Sequence, residues 1–164
     1  MKRAEIKNAH EDSVLDSFKK HSASLNNIIV IISKPEPPDA IITINGITTW
    51  IEITDAFFSR ELAESITTHV ADDKKHKPVP KEKRFCVEPD EQFSSILESV
   101  IVKKYDKSSI GSVYKQYGSG ILVVGIINPF SDSKELINTE KQRILEAIKS
   151  KEKRFNEIYL YDVH

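Results

Sequence analysis

Apolar residues recur along the chain with two spacings, one typical of helices and the other of strands. Residues 4–21 carry apolar side chains three and four positions apart, Val14 and Phe18 among them, which predicts an amphipathic helix. Residues 28–32 form a β-branched run that predicts a buried strand. Three prolines within residues 35–38 end this strand, because proline cannot donate a hydrogen bond to a β-ladder.

The strongest local signal is the dipeptide Asn45-Gly46 between two β-rich runs. This dipeptide favours the type I′ turn of a two-residue hairpin. Such a turn fixes the register of the ladder, and counting outward from it places Asp39 opposite Glu52. Directly opposed side chains project from the same face, with Cβ atoms about 4.5–5.5 Å apart. We therefore expect the two carboxylates to stand side by side.

The remaining pattern alternates helices and strands. Further strands are predicted over 40–44, 47–54, 121–127 and 157–163, and further helices after Ser59, after Pro89-Asp90 with allowance for a break near Ser108-Ser109, and after Asp132. The order α-β-β-β-α-α-β-α-β predicts a single α/β domain over residues 1–164, with a mixed sheet flanked by helices. Residues 121–127 are apolar throughout, which predicts a central strand covered on both faces.

Two opposed carboxylates repel each other unless a cation lies between them. Hard cations such as Mg²⁺ take oxygen ligands, with one or two carboxylates joined by water and substrate phosphate. The Asp39 and Glu52 carboxylates and the backbone carbonyl of Ile53 would form such a shell for Mg²⁺ or Mn²⁺. Two solvated carboxylates at the open end of a surface hairpin are the plainer alternative. Their face is mixed and partly polar, and Trp50 on it would either cover the sheet or stack on a base.

Two short segments, Pro38-Asp39 and Glu52-Ile53-Thr54, resemble the motif of the PD-(D/E)xK, or restriction-endonuclease-like, nuclease superfamily. The resemblance implies an αβββαβ core, with the Asp opening the second core strand and the Glu within the third. It also implies that these two acids bind Mg²⁺ for hydrolysis of phosphodiester bonds, with DNA as the expected substrate. One position departs from the family pattern, because Thr54 stands where the family has lysine.

The departure at Thr54 requires a lysine from another element. In the family that lysine stabilises charge on the scissile phosphate and helps to orient the attacking water, and a threonine hydroxyl supplies no positive charge. Some relatives carry the lysine on a neighbouring helix; Lys104 continues a buried helix face, and Lys103 is the alternative. A solvated helix end would explain both lysines equally well. The family often adds an acid from its first helix, for which Glu11 fits best and Glu5 second.

Overall charge gives no attraction to nucleic acid. The chain has 24 Lys+Arg and 25 Asp+Glu, for a formal net charge of −1, so any nucleic-acid contact must come from a local basic surface. An exposed basic loop is predicted over residues 72–89. Its candidate phosphate-binding residues are Lys74, Lys75, Lys77, Lys81, Lys83 and Arg84. A merely solvated loop of the same composition is the alternative.

Other classes of site receive no support from the sequence. The single cysteine, Cys86, excludes an internal disulfide, and the five histidines show no paired metal-site spacing. No apolar stretch approaches the ~18 residues of a membrane helix, which favours a cytoplasmic protein without membrane contact. The small size without a recognition domain suggests a homodimer or a partner protein that supplies targeting.

Three functions remain open at this point. The first is a Mg²⁺-dependent deoxyribonuclease of restriction, repair or mobile-element type. The second is a non-catalytic module on the same fold that binds nucleic acid or protein. The third is an interaction protein of a different α/β fold, in which the hairpin acids are solvated.

Overall fold

The computed structural model describes residues 2–84, 89–128 and 132–163. Its helices are α1 (Arg3–Ser24), α2 (Arg60–Val70), α3 (Pro89–Asp106), α4 (Ser108–Tyr117) and α5 (Ser133–Ile148). Its strands are β1 (Ile29–Ser33), β2 (Ala40–Ile44), β3 (Ile47–Phe57), β4 (Gly120–Ile127) and β5 (Phe155–Asp162), and a 3₁₀ turn spans Lys81–Lys83. The predicted order is confirmed, with the long helix divided at Lys107 into α3 and α4.

The strands form one mixed sheet in the order β1-β2-β3-β4-β5. The first three strands pair antiparallel, whereas β4 is parallel to both β3 and β5. Residues 120–126 of β4 are all buried, so the prediction of a central strand covered on both faces is confirmed. The chain is therefore an α/β protein with a five-stranded mixed sheet flanked by helices.

Helices pack on both faces of the sheet and make two separate cores. On one face, α1 packs against the sheet through Val14, Leu15, Phe18, Ile42, Ile51, Ile53 and Val123. On the other face, α3, α4 and α5 pack against the sheet through Trp50, Phe93, Leu97, Ile101, Ile110, Leu122 and Leu136. Because residues alternate between faces along β3, odd-numbered Ile51 and Ile53 meet α1, and even-numbered Trp50 and Glu52 point toward α3 and α4.

The face of the hairpin that was expected to be partly polar and open is instead covered by helices. Trp50 is completely buried, and its indole N–H donates a hydrogen bond to the Gly118 carbonyl at 2.9 Å. Its ring lies so close to Gly120 that any side chain there would overlap it. Trp50 thus covers the sheet. On the opposite face Ile47 is 74% exposed at the hairpin tip.

The predicted helix starts at Ser59 and Asp132 are confirmed as caps. The Ser59 hydroxyl accepts a hydrogen bond from the Leu62 N–H at 3.0 Å, and the Asp132 carboxylate accepts one from the Glu135 N–H at 2.8 Å. Among the described residues, no helix combines the length and apolar character that crossing a bilayer requires.

Candidate metal and phosphate site

The predicted hairpin is present with its predicted register. Asn45 and Gly46 both have positive φ, 51° and 83°, as a type I′ turn requires. The ladder runs outward from the turn to the pair Ala40↔Ile51. The next pair in that register would be Asp39 with Glu52.

The regular ladder stops one pair short, at Ala40↔Ile51, and the charge of Glu52 acts on Asp39. Pro37 and Pro38 come directly before Asp39, and neither has an N–H with which to continue the ladder. The Asp39 carboxylate itself accepts the hydrogen bond from the Ile53 N–H, at 2.6 Å. The side chain of Asp39 therefore takes the place of a backbone acceptor and is fixed against β3.

Glu52 is buried in the middle of β3, with a relative exposure of 2%. Its Oε1 accepts a hydrogen bond from Lys104 Nζ at 2.6 Å and lies 3.5 Å from Lys107 Nζ. Its Oε2 is buried and has no hydrogen-bond partner among the described residues. A buried carboxylate oxygen without a partner costs free energy, so Glu52 has unused capacity for a cation or a donor.

Lys104 brings a positive charge to Glu52. Its Nζ lies between Glu52 Oε1 at 2.6 Å and the Ile53 carbonyl oxygen at 3.2 Å, and its side chain is 18% exposed. Lys103, the alternative, is exposed on α3, and within the described part of the chain it makes no ion pair with Glu52. The structure therefore brings Lys104 to the candidate site and leaves Lys103 outside it.

Three carboxylates form an acidic triad beside β3: Glu11, Glu36 and Asp39. Each offers an oxygen within 4.8 Å of the others. Lys7 partly neutralises the triad, with its Nζ 2.5 Å from Glu36 and 3.3 Å from Glu11. Glu52 is not a member of this triad and instead pairs with Lys104. Its negative charge nevertheless raises the pKa of Asp39.

The first-helix acid predicted for the site is thus adjacent to Asp39. Glu11 is largely buried, with 16% of its side chain exposed, and belongs to the acidic triad. Glu5, the second choice, is instead exposed at the start of α1, where its carboxylate accepts a hydrogen bond from the Lys2 backbone N–H at 2.8 Å. Helix capping therefore accounts for Glu5.

Burial first, and then the neighbouring Glu52 charge, raise the pKa of Asp39 from 3.8 to about 6, although the hydrogen bond from Ile53 opposes the shift. The negative charges of Glu52 and Glu11 therefore make ionised Asp39 unfavourable in the absence of a cation. A bound divalent cation would relieve this repulsion.

These residues have the chemistry that a hard divalent cation requires. The available donors are all oxygens: the converging carboxylates of Asp39, Glu11 and Glu36, and the Glu52 carboxylate and Ile53 carbonyl that Lys104 contacts. The unpartnered Glu52 Oε2 is a free ligand atom. By donor type and by charge these residues therefore suit Mg²⁺ or Mn²⁺.

A second polar pair, which sequence reasoning missed, lies next to the triad. His10 Nε2 is 3.0 Å from Asp55 Oδ1, and this hydrogen bond raises the pKa of His10. The pair borders a groove of about 710 Å³ that apolar side chains of α2 and β3 line, including Ile66 and Phe57. His10, whose spacing in the sequence indicated no metal site, is therefore half-buried and hydrogen-bonded.

The predicted basic loop is described only as far as Arg84. Residues 72–84 contain no strand or α-helix and are exposed apart from half-buried Val79. Carboxylates of α2 neutralise part of the charge, because Lys77 lies 2.6 Å from Glu64 and Lys83 lies 3.8 Å from Glu61. Residues 85–88 lie outside the described part, and helix α3 already begins at the predicted loop end, residue 89.

Three residues at the site were not predicted from the sequence: Lys7, Glu36 and Lys107. Lys7 and Glu36 meet only because α1 packs beside the connection between β1 and β2, a contact between residues 29 positions apart. Lys107 is the N-cap residue of α4, and its approach to Glu52 depends on the break between α3 and α4. A break near this position was the one sequence signal for Lys107.

Comparison with known proteins finds no relative: no protein-family model, no curated protein and no solved structure matches the chain.

Replacing Asp39 with asparagine is expected to stabilise the protein at neutral and higher pH. A raised carboxyl pKa means that the folded state binds the proton more tightly than the unfolded chain, so stability falls as the pH rises from about 4 through 6. Asparagine keeps an acceptor for Ile53 without the charge, and we expect a gain of about 2–3 kcal/mol at pH 8 that disappears near pH 4. Chemical denaturation at both pH values measures it.

The matched control for this prediction is Asp12→Asn. Asp12 is an exposed aspartate on the same helix as Glu11, paired with Lys34. Its replacement is expected to give no stabilisation at pH 8. A loss of stability in Asp39→Asn at pH 8 would show that the Asp39 charge is already compensated in the folded protein.

Proposed function

We propose that this protein is a divalent-metal-dependent nuclease with a restriction-endonuclease-like core, and that it hydrolyses phosphodiester bonds in DNA. The observation that carries the proposal is the position of Lys104. A helix that is distant in sequence brings an ammonium to 2.6 Å from Glu52, next to the position of Thr54 where the family motif has its lysine. This contact compensates for the one residue that departs from the motif.

The topology supports the same proposal. The hairpin β2–β3 carries both motif acids, α1 covers one face, and α3 with the parallel strand β4 completes an αβββαβ order. Asp39 precedes the second strand directly, and Glu52 lies within the third. Both positions agree with the family pattern.

In the proposed mechanism the chain holds the metal and stabilises the charge that develops on phosphate. Asp39, Glu52 and the Ile53 carbonyl are the candidate metal ligands, and Glu11 extends them. A divalent ion, when bound, lowers the pKa of bound water and neutralises phosphate charge. Lys104 donates a hydrogen bond to a phosphate oxygen as negative charge develops there. A preoriented cation stabilises such charge most strongly in a site that contains little water.

Substrate contact outside the site is expected to come from residues 72–84. Lys74 and Lys75 line a shallow groove with Arg60 on α2, in which Glu64 is the one acid among the lining residues. Cations placed along such a groove would bind consecutive phosphates without reading sequence. The proposal therefore includes backbone contacts but no sequence specificity.

The experiment is a cleavage assay on double-stranded and single-stranded DNA and on RNA, with Mg²⁺, Mn²⁺ or EDTA. We expect metal-dependent cleavage of DNA by the wild type and a loss of at least about a hundredfold in Asp39→Asn. Asp12→Asn serves as the control and is expected to cleave like the wild type. Cleavage of no substrate by the wild type would favour the non-catalytic binding module, and equal cleavage by Asp39→Asn would exclude this mechanism.

A further inference from the structure

We propose that Lys104 is a tethered cation that occupies the metal position until a divalent ion displaces it. This inference deepens the proposed function, on which it rests, by assigning Lys104 a second role as a competitor for the metal. The two groups that Lys104 Nζ touches, Glu52 Oε1 and the Ile53 carbonyl, are two of the candidate metal ligands.

The contacts of Lys104 resemble those of a bound ion. Its ammonium lies 2.6 Å from a carboxylate oxygen and 3.2 Å from a backbone carbonyl oxygen, so it bonds to one charged and one neutral ligand at once. An ammonium and a divalent metal cannot both occupy the space between these two oxygens, because each requires direct contact with them. Metal binding at Glu52 Oε1 and the Ile53 carbonyl would therefore displace Lys104.

The surroundings of Lys104 favour an ammonium that moves from Glu52 to a phosphate rather than into solvent. The side chain of Lys104 is largely buried at 18% exposure, whereas that of Lys107, 3.5 Å from the same oxygen, is 48% exposed. A buried cation that loses its carboxylate needs a new anionic partner. A phosphate bound to the incoming metal is such a partner, so metal loading would both complete the site and release Lys104 for the substrate.

The remaining oxygen of Glu52 supports an exchange of cations. Glu52 Oε2 is buried without a hydrogen-bond partner in the described part of the chain, so Lys104 satisfies only half of this carboxylate. A divalent ion can bind both oxygens or carry a water to the second one. Exchange of Lys104 for a metal would thus satisfy an atom that the ammonium leaves unpaired.

The test is the affinity of the full chain for Mn²⁺, measured by calorimetry without nucleic acid at fixed ionic strength. We expect Lys104→Met to bind Mn²⁺ at least about tenfold more tightly than the wild type, because the competing cation is gone. The matched control is Lys103→Met, whose lysine is exposed on the same helix, and it is expected to bind like the wild type. Lys104→Gln, neutral but still able to donate to Glu52, tests the same expectation if Lys104→Met does not fold.

The outcomes separate this inference from the proposed function. Wild-type affinity or weaker binding in a folded Lys104 variant overturns the competition, while the nuclease proposal stands on its own assay. An absence of Mn²⁺ binding in the wild type and in both Lys104 variants overturns the metal site itself and both proposals with it.

Discussion

Replacing Lys104 with methionine is expected to lower the rate of DNA cleavage at least about a hundredfold at saturating Mn²⁺, the size typical for loss of one preoriented charge-stabilising donor. Lys104 is the cation that makes the 2.6 Å contact with Glu52, and Thr54 has no charge with which to replace it. Single-turnover cleavage with enzyme in excess over DNA measures the chemical step directly.

Metal affinity and cleavage should move in opposite directions in this variant. If Lys104 competes with the metal, its removal tightens Mn²⁺ binding while slowing cleavage. Poor metal loading could then not explain the slower reaction. Lys103→Met is the control for both measurements, and cleavage by Lys104→Met within about threefold of the wild type would remove Lys104 from the mechanism.

Arginine at this position separates charge from geometry. Lys104→Arg keeps the positive charge, but a planar guanidinium cannot reproduce the compact contact of an ammonium with Glu52 and the Ile53 carbonyl at once. We expect cleavage intermediate between the wild type and Lys104→Met.

The hairpin could be predicted from the sequence because its turn is encoded locally. Asn45 and Gly46 adopt positive φ values, which asparagine and glycine tolerate better than other residues, and the register then follows by counting. The regular ladder ends one pair before Asp39, where two prolines precede it and its carboxylate becomes an acceptor for Ile53. The turn residues therefore predict the register of the hairpin as far as Ala40, the residue next to Asp39.

Lys104 was also accessible to prediction, because helical periodicity places it on the face of α3 that carries Leu97 toward the sheet. Periodicity could not show which helices cover which face. The burial of Trp50 beneath α3, α4 and α5 depends on packing between elements far apart in sequence. The meeting of Lys7 with Glu36 has the same origin. The parts of the site that could not be predicted therefore depend on packing between distant elements, which leaves no local pattern in the sequence.

The burial of Glu52 has a further consequence, for stability. Glu52→Gln leaves Lys104 without its anion, and Lys104→Met leaves Glu52 charged and buried, so we expect each single change to lower the free energy of unfolding by about 2–4 kcal/mol. In the double variant neither charge remains unpaired. We therefore expect it to lose about 1–3 kcal/mol less than the sum of the single losses. Chemical denaturation at pH 8 in EDTA measures all three variants.

The matched control for this double-mutant cycle is Lys151 with Asp106. These residues form an ion pair of the same length, 2.6 Å, but the Asp106 side chain is 59% exposed, against 2% for Glu52. Water screens an exposed pair, so we expect a coupling below about 1 kcal/mol for Asp106→Asn with Lys151→Met. Equal coupling in both cycles would mean that burial does not strengthen the Glu52–Lys104 pair. A larger coupling at Glu52 would show that burial strengthens the Glu52–Lys104 pair.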